Sequence, residues 1–318
     1  MAGFFDGDGC VAVLPKGVGF KLNIGQSSSN GEAVLLFQRS FGGGIYRGAC
    51  GTGVRKPVIQ WSLGGVAAKQ AAALLGQIPS LKQPQLQIAA FCPVDASLRC
   101  NMVTELQRLK RESPETGNCC SWSFVAGFFD AEGYISTPKH GQLRLELTQN
   151  HRAPLYAIKC FIEQELELIQ HGRSELNVAI YSDRSAYKLV INSGSVCKIV
   201  LQKLLTAGLA VKKRQAELAL TICDSNGTEV REQLAKLVGD QARYQRLEAN
   251  GRQRAKDISV VQARINRYRA AGKSAEVEGF RLHLKAWRER HALCTAEERY
   301  ALLRRDIRAL LRQDARAF

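Results

Sequence analysis

Four carboxylates recur at matched places in this chain. Asp6 and Asp8 lie in MAGFFDGDGC, and Asp130 and Glu132 lie in FVAGFFDAEGY, each pair after an apolar run with a small Ala-Gly step. Glycine lets a backbone approach another closely, so Ala2-Gly3 is expected to face Ala126-Gly127 across two paired helices. Asp8 and Glu132 would then meet at the lower ends of those helices. Two adjacent carboxylates repel unless a cation lies between them. Hard divalent ions such as Mg2+, or Mn2+ in its place, are held by a few carboxylates completed by water and phosphate oxygens. They stabilise the leaving oxygen of a phosphodiester. The pattern therefore predicts a metal site at Asp8 and Glu132 and nuclease chemistry around it.

The rest of the chain fits a polyanionic partner. Its 318 residues, 45% of them hydrophobic, suffice for one large core or two to three smaller ones, and the formal net charge is +16. Such an excess attracts phosphate and releases counterions on binding. No apolar run reaches the roughly 20 residues that span a bilayer, so no membrane partner is expected. Ten cysteines without a C-x-x-C pair suggest neither a zinc ribbon nor a redox motif. They read as reduced thiols in an intracellular setting, with mitochondrion, chloroplast and nucleus left open as the compartment. A calcium loop beginning at Asp6 would need glycine at Val11 and glutamate at Gly17. A dinucleotide loop would have to open a helix, whereas Gly7-Asp8-Gly9 precedes a strand pattern.

The elements that must position these acids also come twice. After the first motif stand the strand patterns VAVLP, FKLNIGQ and PVIQWSL, with helices expected over 33–41, 66–75 and 83–91. After the second stand YISTP, LRLELTQ and AYKLVIN, with helices over 155–166 and 195–205. Each half reads as α-β-β-α-β-β-α-α, giving an α+β protein with a first domain over 1–93, a linker over 94–120 and a second domain over 121–223. From 224 to 318 strand patterns cease. Helical spacing predicts four helices there, the last starting at a capping-box sequence Thr295-Ala-Glu-Glu298. This basic extension carries a net charge of +8, as expected of a segment that touches phosphate.

MAGFFDGDG and VAGFFDAEG resemble the two motifs of a single-chain LAGLIDADG homing endonuclease, and the resemblance covers roughly residues 1–223. It implies two pseudo-symmetric αββαββα domains forming a DNA-binding saddle, with a monomer's internal pseudo-twofold between them. It also implies that Asp8 and Glu132 are the metal ligands and that Asp6 and Asp130 are structural. Gln26 and Gln149, at strand ends, match the family's water-positioning glutamine. Lys82 and Lys212, ahead of the last helix of each half, match its solvent-network lysine. The implied activity is site-specific hydrolysis of one phosphodiester in each strand of double-stranded DNA. Strand alternation adds Lys21, Asn23, Arg144, Glu146 and Lys188 as side chains that leave the core and could read base edges.

The competing reading is a catalytically silent descendant that binds nucleic acid: an RNA splicing cofactor, a regulator or a component of a nucleoprotein particle. Retention of both acids favours the enzyme. Family members have helical turns ahead of the motif, as residues 121–125 provide in the second copy, whereas the first copy starts at Met1. A short first helix is therefore expected, together with a truncated gene model or an internal start.

Overall fold

The computed structural model describes residues 1–14, 19–48, 57–93, 95–112, 120–137, 142–170, 177–183, 186–237 and 249–312. Its centre is the packed pair of motif helices, α1 (Ala2–Asp8) and α6 (Trp122–Glu132). The longer α6 is capped by Ser121, whose side chain accepts from the Phe124 amide, while α1 is confined to seven residues. Gly3 and Gly127 are why the pair can close. A Cβ on Gly3 would lie 2.0 Å from the Phe124 carbonyl oxygen, and one on Gly127 would lie 2.8 Å from the Phe4 nitrogen. The faced glycines expected from the motifs are the contact itself.

Each motif helix runs into a four-stranded antiparallel sheet. The first holds β1 (Gly9–Val13), β2 (Phe20–Ser27), β3 (Gly44–Arg47) and β4 (Val58–Leu63) in the order β1-β2-β4-β3. The second holds β5 (Gly133–Ser136), β6 (Arg144–Gln149), β7 (Val178–Asp183) and β8 (Ala186–Ile191) in the order β5-β6-β8-β7. Alternation divides each sheet into two faces. Leu22, Ile24, Ile59, Trp61 and Leu63 are buried on the helix side of the first, under α2 (Glu32–Phe41) and α3 (Gly65–Leu75). Leu145, Leu147, Leu189 and Ile191 do the same in the second, under α7 (Arg152–Gln170) and α8 (Gly194–Thr206). Two short helices, α4 (Gln83–Ala90) and α9 (Lys213–Leu220), end the halves. The two-repeat α+β architecture read from the sequence is thus the one observed, and β3 and β7 supply the fourth strand of each sheet that no sequence pattern had located.

The linker segment contains a helix, α5 (Ala96–Leu109), started by Asp95, which accepts from the Ser97 and Leu98 amides. It is docked as well as helical, because Leu106 is buried in the core of the first half. Pro114, Gly117 and Cys119, which mark the remainder of the linker in the sequence, lie outside the described residues. The described cysteines are free thiols.

The extension departs from the four helices expected. Among the described residues it has three: α10 (Gly227–Leu237), α11 (Ala249–Ala270) and α12 (Ser274–Leu311). The two helices read separately around Val277 and Tyr300 are one continuous helix of 38 residues, about 57 Å long at 1.5 Å per residue. Nothing between Trp287 and Tyr300 breaks it, since that stretch lacks glycine and proline. Thr295 therefore stands inside a helix, where a capping residue is tolerated.

The extension bridges the two halves. At its start, Val230 and Leu234 are buried in the second core, and Arg231 Nε donates to the Thr137 carbonyl at 2.8 Å. At its far end, Ser28 Oγ donates to Asp306 Oδ2 at 2.9 Å and Leu310 packs against the first core beside Gly31. Among the described residues no helix is long and apolar enough to cross a membrane.

Candidate functional site

Below the helix pair, six charged side chains from both repeats converge. The two outer acids are structural in geometry. Asp6, 2% exposed, accepts from the Leu81 and Lys82 amides at 2.8 and 3.0 Å. Asp130, 4% exposed, accepts from the Ala210 and Lys212 amides at 2.7 and 2.8 Å. Each acid thus ties the end of a motif helix to the turn that opens α4 or α9, where amide hydrogens lack intrahelical partners. Burial raises both carboxyl pKa values, and the amide bonds pull them back. The same turns interlock across the pseudo-twofold: Leu81 sits in the core of the second half, and Val211 packs against the first.

This anchoring delivers Lys82 and Lys212. Lys82 Nζ donates to the carbonyls of Phe5, Gly7 and Gly9 at 3.0, 2.9 and 2.5 Å. Lys212 Nζ donates to the carbonyl of Asp130, and to that of Ala131 at 3.4 Å. The lysines therefore bond carbonyls at the C-terminal ends of α1 and α6, where a cation meets the negative end of the helix dipole. Burial lowers both ammonium pKa values, opposed by the surrounding acids of both repeats.

Asp8 and Glu132 face this cluster. Burial is the main force raising the Asp8 carboxyl to about 7, with the Glu132 charge adding to it and Lys212, Lys82 and Gln26 opposing. Glu132 is also raised by burial and lowered by the two lysines. Asp6, Asp8, Asp130 and Glu132 against Lys82 and Lys212 leave a formal charge of −2 when all six are ionised. A divalent cation neutralises that charge, so the residues present fit such an ion. They do not form a closed cage, because no group of three or more metal-ligating side chains exists among the described residues. Substrate oxygens and water would have to complete the shell.

The two glutamines differ. Gln26 Nε2 donates to Asp8 Oδ2. Gln149 turns its Oε1 back onto the neighbouring Asn150 amide at 2.7 Å. The repeats are therefore unequal at this position, an asymmetry the matched sequence positions concealed.

The helix-free faces of the sheets carry the expected base-edge readers. Register places Cys10, Asn23 and Ser62 side by side, with Lys21 opposite Ala12. Asn23 faces away from the core yet is only 7% exposed. In the second sheet, Arg144 pairs with Glu146 at 3.0 Å, and Lys188 pairs with Asp183 at 2.5 Å. The same faces hold polar side chains that were not singled out from the sequence: Tyr46, Gln60 and Ser62 in the first sheet, Tyr134, Thr148 and Tyr181 in the second. Alternation within PVIQWSL would have found Gln60 and Ser62. Tyr181 belongs to a strand that the pattern did not locate.

No protein-family model and no curated protein sequence matches the chain. Among solved structures, the LAGLIDADG meganuclease I-AabMI bound to uncleaved DNA is similar over 73% of this chain and 96% of its own, at 14% identity and a TM-score of 0.50. The meganuclease I-SmaMI, bound to uncleaveable DNA, matches over 76% and 96% at 12% identity and a TM-score of 0.47. The first of these establishes the fold: this chain has the double-motif architecture of the LAGLIDADG homing endonucleases.

Proposed function

We propose, on the premise that this chain folds as a double-motif LAGLIDADG endonuclease, that it is a site-specific nuclease cutting both strands of a DNA duplex. One observation supports the reading above the rest: Asp8 and Glu132, one from each repeat, lie close enough for their charges to interact in a desolvated cluster that also holds Lys82 and Lys212. Asp8 and Glu132 would hold Mg2+ or Mn2+, which when bound supplies charge neutralisation and Lewis acidity at a phosphodiester.

The chain's own groups do the remainder. Asp6 and Asp130 fix the turns, and the turns fix Lys82 and Lys212 beside the paired carboxylates. There the ammonium groups offset charge developing on the phosphoryl oxygens. Gln26 orients Asp8. The helix-free sheet faces would lie along the major groove, with Lys21, Arg144 and Lys188 placing charge near phosphates and Gln60, Ser62, Glu146 and Thr148 presenting donors and acceptors to base edges. Unequal halves suit a target that is only loosely palindromic.

The test uses supercoiled DNA carrying the uninterrupted form of the locus that encodes the protein. Incubation with Mg2+ is expected to give one defined double-strand break, abolished by EDTA and restored by added cation. Sequence-specific binding with no cation-dependent break would replace the nuclease by the binding-only reading.

A further inference from the structure

We propose that the cleft between α11 and α12 is a binding site for one unpaired nucleotide of a single-stranded nucleic acid. It goes beyond the nuclease reading, since it involves neither the sheets nor the charged cluster, and it stands or falls separately.

The helical hairpin has its own small core, in which Ile265, Val277 and Leu284 are buried with Val261, Tyr268 and Phe280 around them. Past that core the helices enclose an open cleft of about 450 Å3. Trp287, one turn beyond Leu284, stands at this cleft and stays 44% exposed. Burial in the hairpin core would shield a large aromatic side chain from water, yet here the indole is presented to it. Arg254 and Arg290 line the same cleft, together with Asn250, Gln253 and Asp257, and the Arg254 Nε and Nη2 atoms are buried in its wall. Gln253 Nε2 donates to Asp257 Oδ1 at 2.8 Å, so the acid is held within an amide network at the cleft wall.

These groups match the parts of a nucleotide. An exposed indole offers a stacking platform that any base can use, and the adjacent, exposed Arg290 offsets the charge of a flanking phosphate. Asn250, Gln253 and Asp257 supply donors and acceptors for a base edge. The volume lies within the range of small-ligand sites, about 300–1,000 Å3, which admits one nucleotide. A paired base could not reach the indole, so the occupant must be single-stranded. An acidic peptide would use Arg290 but leave the indole without a function.

The full-length protein would be titrated against fluorescein-labelled oligo(U) RNA and oligo(dT) DNA of about 12 nucleotides, a duplex of equal length, and polyglutamate. Trp287→Ala is expected to weaken both single strands about ten-fold, the loss of one stacked base, with duplex affinity changed by less than about two-fold. Trp287→Phe should recover most of the loss, and adding Arg290→Gln to Trp287→Ala should deepen it. Single strands should also quench the tryptophan emission of wild-type protein, and far less that of Trp287→Ala. The other tryptophans serve as internal controls, Trp61 being fully buried and Trp122 partly so. Tighter binding of oligo(U) than oligo(dT) assigns the site to RNA, and equal binding assigns it to any single strand. Unchanged single-strand affinity in Trp287→Ala, an equal loss for duplex, or polyglutamate binding as tightly as the oligonucleotides would each overturn the proposal. Helicity by circular dichroism checks that the variants fold, and the quenching measurement on wild-type protein needs no variant.

Discussion

Asp8→Asn is expected to abolish cation-dependent cleavage, by about a thousand-fold or more, while making the metal-free protein more stable at pH 8. The first half follows from chemistry, because a neutral amide removes one of the two charges that hold the cation. The second half follows from linkage. The Asp8 carboxyl is raised from 3.8 to about 7 in the folded protein, so the folded state holds a proton that the unfolded chain has released between those values. Stability then declines as pH rises from about 4 to about 7, and the full cost persists above.

A shift of that size corresponds to at most about 4 kcal/mol. Sharing between Asp8 and Glu132 makes about 2 kcal/mol a reasonable gain for the single substitution. Asparagine can still accept from Gln26 through its carbonyl oxygen, so the Gln26 donor keeps its partner. In EDTA at pH 8 the melting temperature should rise by about 5 °C, and the difference should vanish near pH 4. Added Mg2+ should stabilise wild type and leave Asp8→Asn unmoved. Equal melting temperatures at pH 8, or equal Mg2+ stabilisation of the two proteins, would sink this account of the cluster. Glu132→Gln should behave in the same direction, since its carboxyl is also raised by burial.

Gly3→Ala should lower stability by about 3 kcal/mol, at the upper end for overpacking, and should weaken Mg2+ binding with it. The added methyl would stand 2.0 Å from the Phe124 carbonyl oxygen and 3.0 Å from the Phe128 nitrogen. Both obstacles are backbone of the opposing helix, so relief requires the helices to separate. Alanine's helix propensity returns about 1 kcal/mol of that loss. Separation also draws Asp8 away from Glu132, because the acids sit at the ends of the same two helices. Gly64→Ala is the matched control, since its Cβ would meet nothing within 4 Å. Differential scanning fluorimetry with and without Mg2+ reads both effects. A melting temperature for Gly3→Ala within about 2 °C of wild type would mean that the glycine contact is not what closes the interface.

Much of this site was legible before any coordinates, and particular residues show why. Gly3 and Gly127, Asp8 and Glu132, and Asp6 and Asp130 announced themselves because a repeated motif repeats its physics. A helix pair that must come within backbone contact needs glycine at the same place in both partners. Acids two residues apart at a helix end point to opposite sides of the helix, about 200° apart at 3.6 residues per turn, so direction sets their distinct fates. Alternation in β2, β4, β6 and β8 likewise separated core residues from outward ones, because successive side chains in a strand point to opposite faces.

What the chain could not disclose depends on contacts between residues far apart in sequence. That Lys82 and Lys212 spend their donors on the carbonyls of α1 and α6 follows from turns held by Asp6 and Asp130, and those turns exist only once α4 and α9 have docked. Gln26 reaches Asp8 while Gln149 bonds to its own neighbour, although the two occupy matched positions. Asn23 is covered on a face where alternation only says that it leaves the core. The expected break at Thr295 is absent because no residue nearby disfavours continuation, and local cap preferences are weak beside helix propagation. The sequence alone determined a two-repeat protein with paired acids at its axis. Tertiary structure alone decided which side chains surround those acids, and that the basic extension is anchored on the second repeat by α10 and on the first by the end of α12, because both are outcomes of packing that no local pattern encodes.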